Sequence, residues 1–149
     1  MSHPKMYYED IRVGQEFTSP ERKITGDDIR QFGELTGDCN RHHMDDEFCK
    51  SMPYAKRIAH GLLGLSLIEG LKAQTGWFEE TAVATLAWKV DFTAPIYIDD
   101  TLTVHWHVAR KRPTRKPGRG ILYEHIELRN QDGVVVQKAR HTVMVLRRP

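Results

Sequence analysis

The chain has 149 residues, of which 40% are apolar, and its 22 basic and 20 acidic residues leave a formal net charge of only +2. This length predicts one globular domain, residues 1–149, whose core needs neither disulfides nor a structural metal. The near balance of charge gives no general electrostatic basis for binding nucleic acid.

The N-terminal segment and the cysteines give the first indications of location. Residues 1–9 are polar and lack the basic start and apolar run of a secretory signal. The longest apolar stretch, residues 61–71, is about half as long as a membrane-spanning helix. Two cysteines, Cys39 and Cys49, make no disulfide framework and favour a reducing compartment. We therefore expect a cytoplasmic protein that does not bind membranes.

The first predicted elements are a short strand and a helix. Residues 17–23 are strand-like but contain Pro20, which is typical of a sheet edge. Thr25 with Asp28 three residues later forms a capping-box pattern in front of helical apolar spacing. Gly37 is placed to end that helix.

A polar segment then leads into the most apolar part of the chain. Residues 38–54 are rich in His and Asp and predict a loop with one helical turn near residues 45–49. Residues 61–71 are apolar nearly all round, as in a helix enclosed by other elements.

The second half of the chain predicts antiparallel strands. Four segments are rich in β-branched and aromatic residues at alternating positions: 81–92, 101–110, 121–129 and 134–146. Turn signals separate them, among them Asn-Gln-Asp-Gly at residues 130–133. One buried helix packed on a single antiparallel sheet is the α+β arrangement that this order favours.

Reactive side chains are concentrated between residues 36 and 61. Asp38 and His43 place a carboxylate and an imidazole five residues apart in the polar segment. Gly61 begins the apolar helix, and the N–H groups of a first helical turn attract an anion or a polarised carbonyl. An acid, a base and an oxyanion-stabilising helix terminus are the components needed for chemistry next to a carbonyl.

The same segment resembles the hydratase motif of MaoC-like dehydratases and (R)-specific enoyl-CoA hydratases. It reads Gly-Asp-x-Asn-x-x-His at residues 37–43, and Ala-His-Gly follows at residues 59–61. Residues 8–17 are similar to the opening of that family, and residues 90–102 to its strand–turn–strand block Phe-x-x-Pro-Val-x-x-Gly-Asp-Thr-Leu. Three blocks in one order are more specific than any one of them.

The resemblance implies a fold, an assembly and a reaction. The fold is the hotdog fold, a curled antiparallel sheet wrapped around a central helix, here residues 61–72. Two copies pair through their sheets, which implies a homodimer or a dimer-based oligomer. The reaction is reversible hydration of a trans-2-enoyl thioester of coenzyme A, or of acyl carrier protein, to the (R)-3-hydroxyacyl thioester. No cofactor and no metal are expected.

The resemblance also implies roles for individual residues. Asp38 and His43 are the catalytic pair that holds a water, with His43 the expected base toward water and Asp38 the expected proton donor to carbon. Asn40 organises the loop. His60 either orients the helix start or packs structurally, and its side chain need not take part in the chemistry. The backbone N–H of Gly61 receives the thioester oxygen.

Departures from the family pattern raise questions about the substrate. Arg41 and His42 stand where the family usually has Pro and an aliphatic residue. The charge of Arg41 motivates the hypothesis of a polar or carboxylated acyl group. Ser66 and Glu69 lie on the predicted central helix, where either side chain faces the pocket or, for Ser66, bonds back to its own helix.

Several alternatives remain open from the sequence. His42, His43, Asp45 and Asp46 match no zinc or calcium spacing, so a solvated loop is favoured over a metal site there. Cys39 beside two histidines is a weak candidate nucleophile. The basic residues between 110 and 119 are read as a solvated loop tip, or as a clamp for coenzyme A phosphates.

Two other functions compete with the hydratase. One is a hotdog thioesterase, which would hydrolyse the same linkage with a carboxylate elsewhere. The other is an acyl-CoA-binding module without catalysis, because a fold does not fix a function.

Overall fold

The protein was analysed as a computed structural model that describes residues 5–149. After a 3₁₀ turn at Tyr8–Asp10, the helices are α1 Gly26–Thr36, α2 Arg41–Met44, α3 Asp46–Cys49 and α4 Gly61–Ala73. The strands are β1 Glu16–Thr18, β2 Arg22–Lys23, β3 Ala82–Phe92, β4 Thr101–Pro113, β5 Arg119–Arg129 and β6 Val135–Leu146. Across the described part of the chain, no helix combines the length and the apolar character needed to cross a membrane.

All six strands form one antiparallel sheet. Its order is β1-β4-β5-β6-β3, and β2 also pairs with β4. The edge strand predicted around Pro20 is confirmed as β1 and β2, two short pieces on either side of that proline. At the opposite edge, β3 is exposed along most of its eleven residues.

Helix α4 packs on the inner face of this sheet. Leu63, Ile68 and Leu71 on one side of the helix are buried and belong to the same apolar cluster as the inward residues of the strands. On β4 those inward positions alternate, being Leu102, Val104, Trp106 and Val108. This is the predicted α+β arrangement and the hotdog architecture that the resemblance implied.

The sheet covers only one side of α4. Leu62 is 62% exposed, and Ser66, one turn further on, is also exposed. The sequence predicted a helix enclosed on all sides. The structure differs from this prediction at the outer face of α4, which is not covered. Together with exposed β3, this face forms an uncovered surface in the single chain.

The local signals around α1 were reliable. Thr25 and Asp28 form the capping box, and Gly37 ends the helix in the left-handed region at φ 84°. The segment after it differs from the prediction, because it contains two helical turns, α2 and α3, rather than one. Asn40 in front of α2 makes no side-chain capping hydrogen bond, so that turn has no capping signature.

The basic region between β4 and β5 also differs from the prediction. The strands extend further than expected: residues 111–113 also belong to β4, β5 begins at Arg119, and only residues 114–118 form the turn. Lys111 donates to the carbonyls of Tyr8 and Ile11, and Arg112 donates to the Tyr123 hydroxyl. Part of the cluster is therefore occupied in holding the N-terminal segment and the sheet.

A matched pair of glycines on α4 tests how closely the helix approaches the sheet. A Cβ at Gly64 would lie 2.7 Å from Ile96 and would collide with the amide of Gln137, which donates to the Gly61 carbonyl. A Cβ at Gly70 would meet nothing within 4 Å. Gly64→Ala is expected to lower the free energy of unfolding by about 1–3 kcal/mol.

Gly70→Ala is the control, and it should raise that free energy by about 0.5–1 kcal/mol through helix propensity. Denaturant unfolding of both variants at one protein concentration provides the comparison. Equal stabilisation by the two alanines would contradict the close approach.

Candidate active site

The end of α1 and the short helix α2 bring two catalytic candidates together. Asp38 directly follows the glycine that ends α1, and His43 lies on α2. The Nε2 atom of His43 is 3.9 Å from Oδ2 of Asp38. That separation is too long for a direct hydrogen bond and is one that a water molecule can bridge.

The ring of His43 is held in one tautomer. Its Nδ1 lies 2.7 Å from the backbone oxygen of Ile58, which can only accept. Nδ1 therefore carries the proton, and Nε2 presents its lone pair toward Asp38. The ring is also buried, with 6% of the residue exposed. The sequence placed His43 in a loop, whereas burial on a helical turn gives it a fixed orientation.

Asn40 orients the carboxylate of Asp38. Its side-chain Nδ2 donates to Oδ1 of Asp38 at 2.7 Å, and its backbone N–H donates to the same oxygen at 3.4 Å. Oδ1 is thus occupied, which leaves Oδ2 to face His43. Both hydrogen bonds link Asn40 to the carboxylate of Asp38 within one loop.

His60 connects the loop to the start of α4. Its Nε2 donates to the backbone oxygen of Asp38 at 2.8 Å. Its ring stacks on His43, with centroids 3.8 Å apart and planes inclined by 25°. Only 3% of His60 is exposed, and its Nδ1 is buried without a hydrogen-bond partner. His60 therefore contacts both Asp38 and His43 and restricts the movement of each.

A cleft of about 610 Å³ opens beside His43 at the N-terminus of α4. Gly61 and Leu62 form the helix side, and Phe92 forms the strand side. A Cβ at Gly61 would lie 2.6 Å from the Phe92 ring, so a side chain at this position would have to displace Phe92. The N–H groups of a first helical turn have no partner within the helix, and a developing oxyanion in the cleft would be close to them.

Gln137 is a residue of the cleft that the sequence analysis missed. It is 1% exposed on β6, and its Nε2 donates to the Gly61 backbone oxygen at 2.9 Å. Its Oε1 is buried without a hydrogen-bond partner. The available signal was a polar residue at an inward position of an alternating strand.

The charges of the pair follow from their surroundings. Burial is the main reason why the pKa of His43 lies below its ordinary value of 6.5, and His60 and His42 lower it further. Desolvation tends to raise the pKa of Asp38, but the hydrogen bonds from Asn40 and the nearby histidines outweigh it, so that this pKa lies below 3.8. Both groups are therefore unprotonated at neutral pH.

Other residues singled out in the sequence lie away from the cleft. Arg41 pairs with Asp45 at 2.9 Å, stacks over Phe48, and has a side chain that is 67% exposed. The Ser66 hydroxyl donates to the Leu62 carbonyl within the helix. Glu69 lies near Lys72 at 3.4 Å and lines a different cavity. The structure therefore does not bring these three residues to Asp38 and His43.

The loop also contains histidine and cysteine side chains that are potential metal ligands or nucleophiles. Asp38, His43 and His60 offer ligand atoms that lie within 4.8 Å of one another, a different set from the one examined in the sequence. Two of their ring nitrogens, Nδ1 of His43 and Nε2 of His60, already donate to carbonyls. Cys39 is exposed and Cys49 is buried, and neither forms a disulfide.

Comparison with known proteins places this geometry in context. A sequence model described as "MaoC like domain" matches residues 10–129. A 3-hydroxybutyryl-CoA dehydratase of Methylorubrum extorquens is 31% identical over 76% of this chain and 71% of its own. An (R)-specific enoyl-CoA hydratase of Rhodospirillum rubrum is 29% identical over 74% of each. A solved monoamine oxidase regulatory protein from Archaeoglobus superposes with a TM-score of 0.91, at 29% identity over 100% of this chain and 99% of its own.

The tautomer and burial of His43 predict its titration. By NMR of the histidine rings, His43 should titrate below 6.5, because burial disfavours the imidazolium. Asp38→Asn should move that pKa still lower, since the carboxylate favours the charged ring. A His43 that titrates above 6.5, or that rises in the variant, would contradict this electrostatic account.

Proposed function

The chain belongs to the MaoC-like domain family, and on that basis we propose that it adds water reversibly to a trans-2-enoyl thioester to form the (R)-3-hydroxyacyl thioester. The observation that carries the proposal is the pairing of Asp38 and His43 across 3.9 Å at the cleft where α4 begins. Two relatives are named for 3-hydroxybutyryl-CoA and enoyl-CoA, so coenzyme A is the proposed carrier, with acyl carrier protein as the alternative.

The water lies between the two unprotonated groups. Nε2 of His43 and Oδ2 of Asp38 both accept, so each can take one of the two protons of a bridging water as a hydrogen bond. The water oxygen attacks the β-carbon as one of its protons passes to the pair. The same proton then goes to the α-carbon, which balances the addition without any other acid.

This route changes the roles first expected for the two residues. Asp38 is ionised at neutral pH and has no proton of its own to give, so it donates only a proton taken from the water. His43 and Asp38 act as one coupled unit, and a single proton on that unit belongs to both. In the dehydration direction the pair removes the α-proton and returns it to the leaving hydroxyl.

The N-terminus of α4 stabilises the charge that develops on the thioester oxygen. As the β-carbon is attacked, negative charge moves to that oxygen, and the Gly61 N–H receives it in the proposed complex. The dipole of a thirteen-residue helix favours this charge. The pair holds the water on one side of the cleft. The hydroxyl group and the proton of that water therefore add to the same face of the double bond. The (R) configuration rests on the named specificity of the relatives.

The catalytic pair is tested by following the loss of enoyl-thioester absorbance with a panel of trans-2-enoyl-CoA substrates. Asp38→Asn and His43→Ala should each lower kcat/KM by roughly 10²–10⁴-fold, because each removes a proton acceptor for the water. Glu47→Gln and His125→Ala are the controls, since both residues are exposed and lie away from the cleft. They should keep the wild-type rate.

The same assay separates the alternatives. Release of free thiol without hydration would identify a thioesterase. Tight acyl-CoA binding without turnover would favour a binding module, and full activity in Asp38→Asn would exclude the proposed mechanism. A chelator should leave the rate unchanged, whereas loss of activity restored by a metal would assign Asp38, His43 and His60 to a metal site.

The proposal includes a homodimer in which two copies join along β3. That strand lies at the end of the sheet order, and it exposes Val83 and Leu86 at 38% and 48%. The outer face of α4 adds Leu62. Continuous pairing of two β3 edges would cover these side chains and the unpaired backbone groups of both strands.

One substitution on β3 tests the assembly. Leu86→Asp should shift the protein from dimer to monomer in sedimentation velocity, since it places a charge in the proposed contact. Val134→Asp is the control, because Val134 is similarly exposed at 47% but lies in the turn before β6. A wild type that sediments as a monomer, or a Leu86→Asp variant that stays dimeric, would contradict the proposal.

A further inference from the structure

Three backbone N–H groups at the start of α4 have no acceptor within the helix. They belong to Gly61, Leu62 and Leu63. The N–H of Gly64 is the first to donate inside the helix, to the His60 carbonyl at 3.2 Å. Gly61 and Leu62 line the active-site cleft, whereas Leu63 is buried in the core. The helix therefore offers the cleft two consecutive donors, of which the proposed hydration uses only that of Gly61.

One side chain of the sheet reaches the same helical turn. Gln137 of β6 donates from Nε2 to the Gly61 carbonyl at 2.9 Å. A backbone carbonyl can only accept, so this contact determines which end of the amide faces the helix. The approach is close, because a Cβ at Gly64 would collide with the same Nε2. Gln137 is thus held directly against the peptide group that joins Gly61 to Leu62.

This hydrogen bond acts on the N–H of Leu62. The Gly61 carbonyl and the Leu62 N–H belong to one peptide group. That carbonyl already accepts the ordinary helical bond, and Gln137 adds a second donor to it. A donor at the oxygen polarises a peptide, so that its N–H becomes a stronger donor. The N–H of Gly61 belongs to the preceding peptide group, which Gln137 does not contact.

Phe92 covers the same peptide from the other side. It is the cross-strand partner of Gln137 on β3, and its ring lies 2.6 Å from the position that a Cβ of Gly61 would take. One cross-strand pair therefore contacts the first residue of α4, with an aromatic ring and with an amide. Polarisation of a peptide has a larger effect where a neighbouring ring excludes water.

The remaining surroundings of Gln137 give its amide no other polar contact among the described residues. The residue is 1% exposed, and its Oε1 is buried without a hydrogen-bond partner. A buried amide with one unsatisfied polar atom is costly compared with an apolar side chain of the same size. The single bond that the amide makes is the one to the start of α4.

We propose that the Leu62 N–H is a second donor to the thioester oxygen, and that Gln137 is a positioning residue that strengthens this donor through the shared peptide group. The inference rests on the proposed hydratase function and adds two residues to it. Negative charge collects on the thioester oxygen as the water oxygen bonds to the β-carbon, and the two N–H groups share it. The charge returns to the α-carbon when that carbon takes the proton.

Proline at position 62 removes the N–H while keeping a helix start. Proline is tolerated in a first helical turn, and the residue before it is Gly61, which accepts the restriction that proline imposes. Leu62→Pro is compared with Leu62→Ala, which removes the same side chain and keeps the N–H. With trans-2-enoyl-CoA the proline variant should have a kcat roughly 10²-fold below that of the alanine variant, as for loss of one oxyanion donor. Equal kcat values would overturn the proposal.

Gln137→Met tests the strengthening of that donor. It should lower kcat by roughly threefold to thirtyfold and leave KM within about twofold, because the N–H remains but is less polarised. In the Leu62→Pro background the same change should alter kcat by less than about twofold, since the N–H on which Gln137 acts is gone. A purely structural role would give the same factor in both backgrounds and would overturn the proposal. Ile68→Val is the control, because Ile68 is buried on α4 about two turns away, and it should keep the wild-type kcat.

The carbonyl stretch of a bound thioester gives a readout that needs no turnover. Saturated acyl-CoA esters labelled isotopically at the thioester carbon bind without being hydrated, and infrared difference spectra report the hydrogen bonds to their oxygen. The band should lie at lower wavenumber on the wild type than on Gln137→Met, and at the highest wavenumber on Leu62→Pro. Identical bands on the three proteins would overturn the proposal.

These measurements separate the failure of this inference from the failure of the hydratase proposal. If no enoyl ester is hydrated, the hydratase proposal fails, and the carbonyl band alone decides the roles of Leu62 and Gln137. If Leu62→Pro does not fold, the band on Gln137→Met is compared with the band on Ile68→Val. A shift in the first variant alone supports the proposal, and the same band in both overturns it.

Discussion

The geometry of the site depends on how closely α4 packs against the inner face of the sheet. At Gly64 there is no space for even a methyl group between the helix and Ile96. This approach brings Gln137 of β6 within hydrogen-bonding distance of the Gly61 carbonyl, so the first turn of the helix is anchored to the sheet. A helix terminus that serves as an oxyanion site must be held in place before the substrate arrives, and this contact does so.

The catalytic loop depends in turn on that fixed helix terminus. His60, the residue before α4, donates to the Asp38 backbone and stacks on His43. Ile58, two residues earlier, accepts from the other side of the His43 ring. Asp38, His43 and the proposed oxyanion donor are therefore positioned by one short stretch of chain, which couples their distances to one another.

Local signals in the sequence were sufficient for most of the elements and for the main candidates, but not for α2 or for the exposed outer face of α4. The capping box at Thr25, the alternation of β4 and the apolar segment of α4 all formed the structures that they predicted. Asp38 and His43 were named from a motif, and the loop does bring them together. The stacking of His60 on His43 and the reach of Gln137 were not predictable, because they depend on tertiary packing between segments. The same holds for the buried contacts of Lys72 with Glu124 and His141, which lie 52 and 69 residues further along the chain and meet Lys72 only where α4 packs on β5 and β6.

The exposed strand β3 affects how readily the protein aggregates before it assembles. Its first six residues, Ala-Val-Ala-Thr-Leu-Ala, carry no charge, and apart from two irregularities of register between residues 82 and 87 they present an edge with which another extended chain can pair. Only Lys89 and Asp91, near the far end, act as charged gatekeepers against such pairing. A newly synthesised copy is thus most vulnerable to aggregation before that edge is covered. Pairing of two copies along β3, as proposed, would cover this edge, so the time for which it stays exposed would shorten as the protein concentration rises.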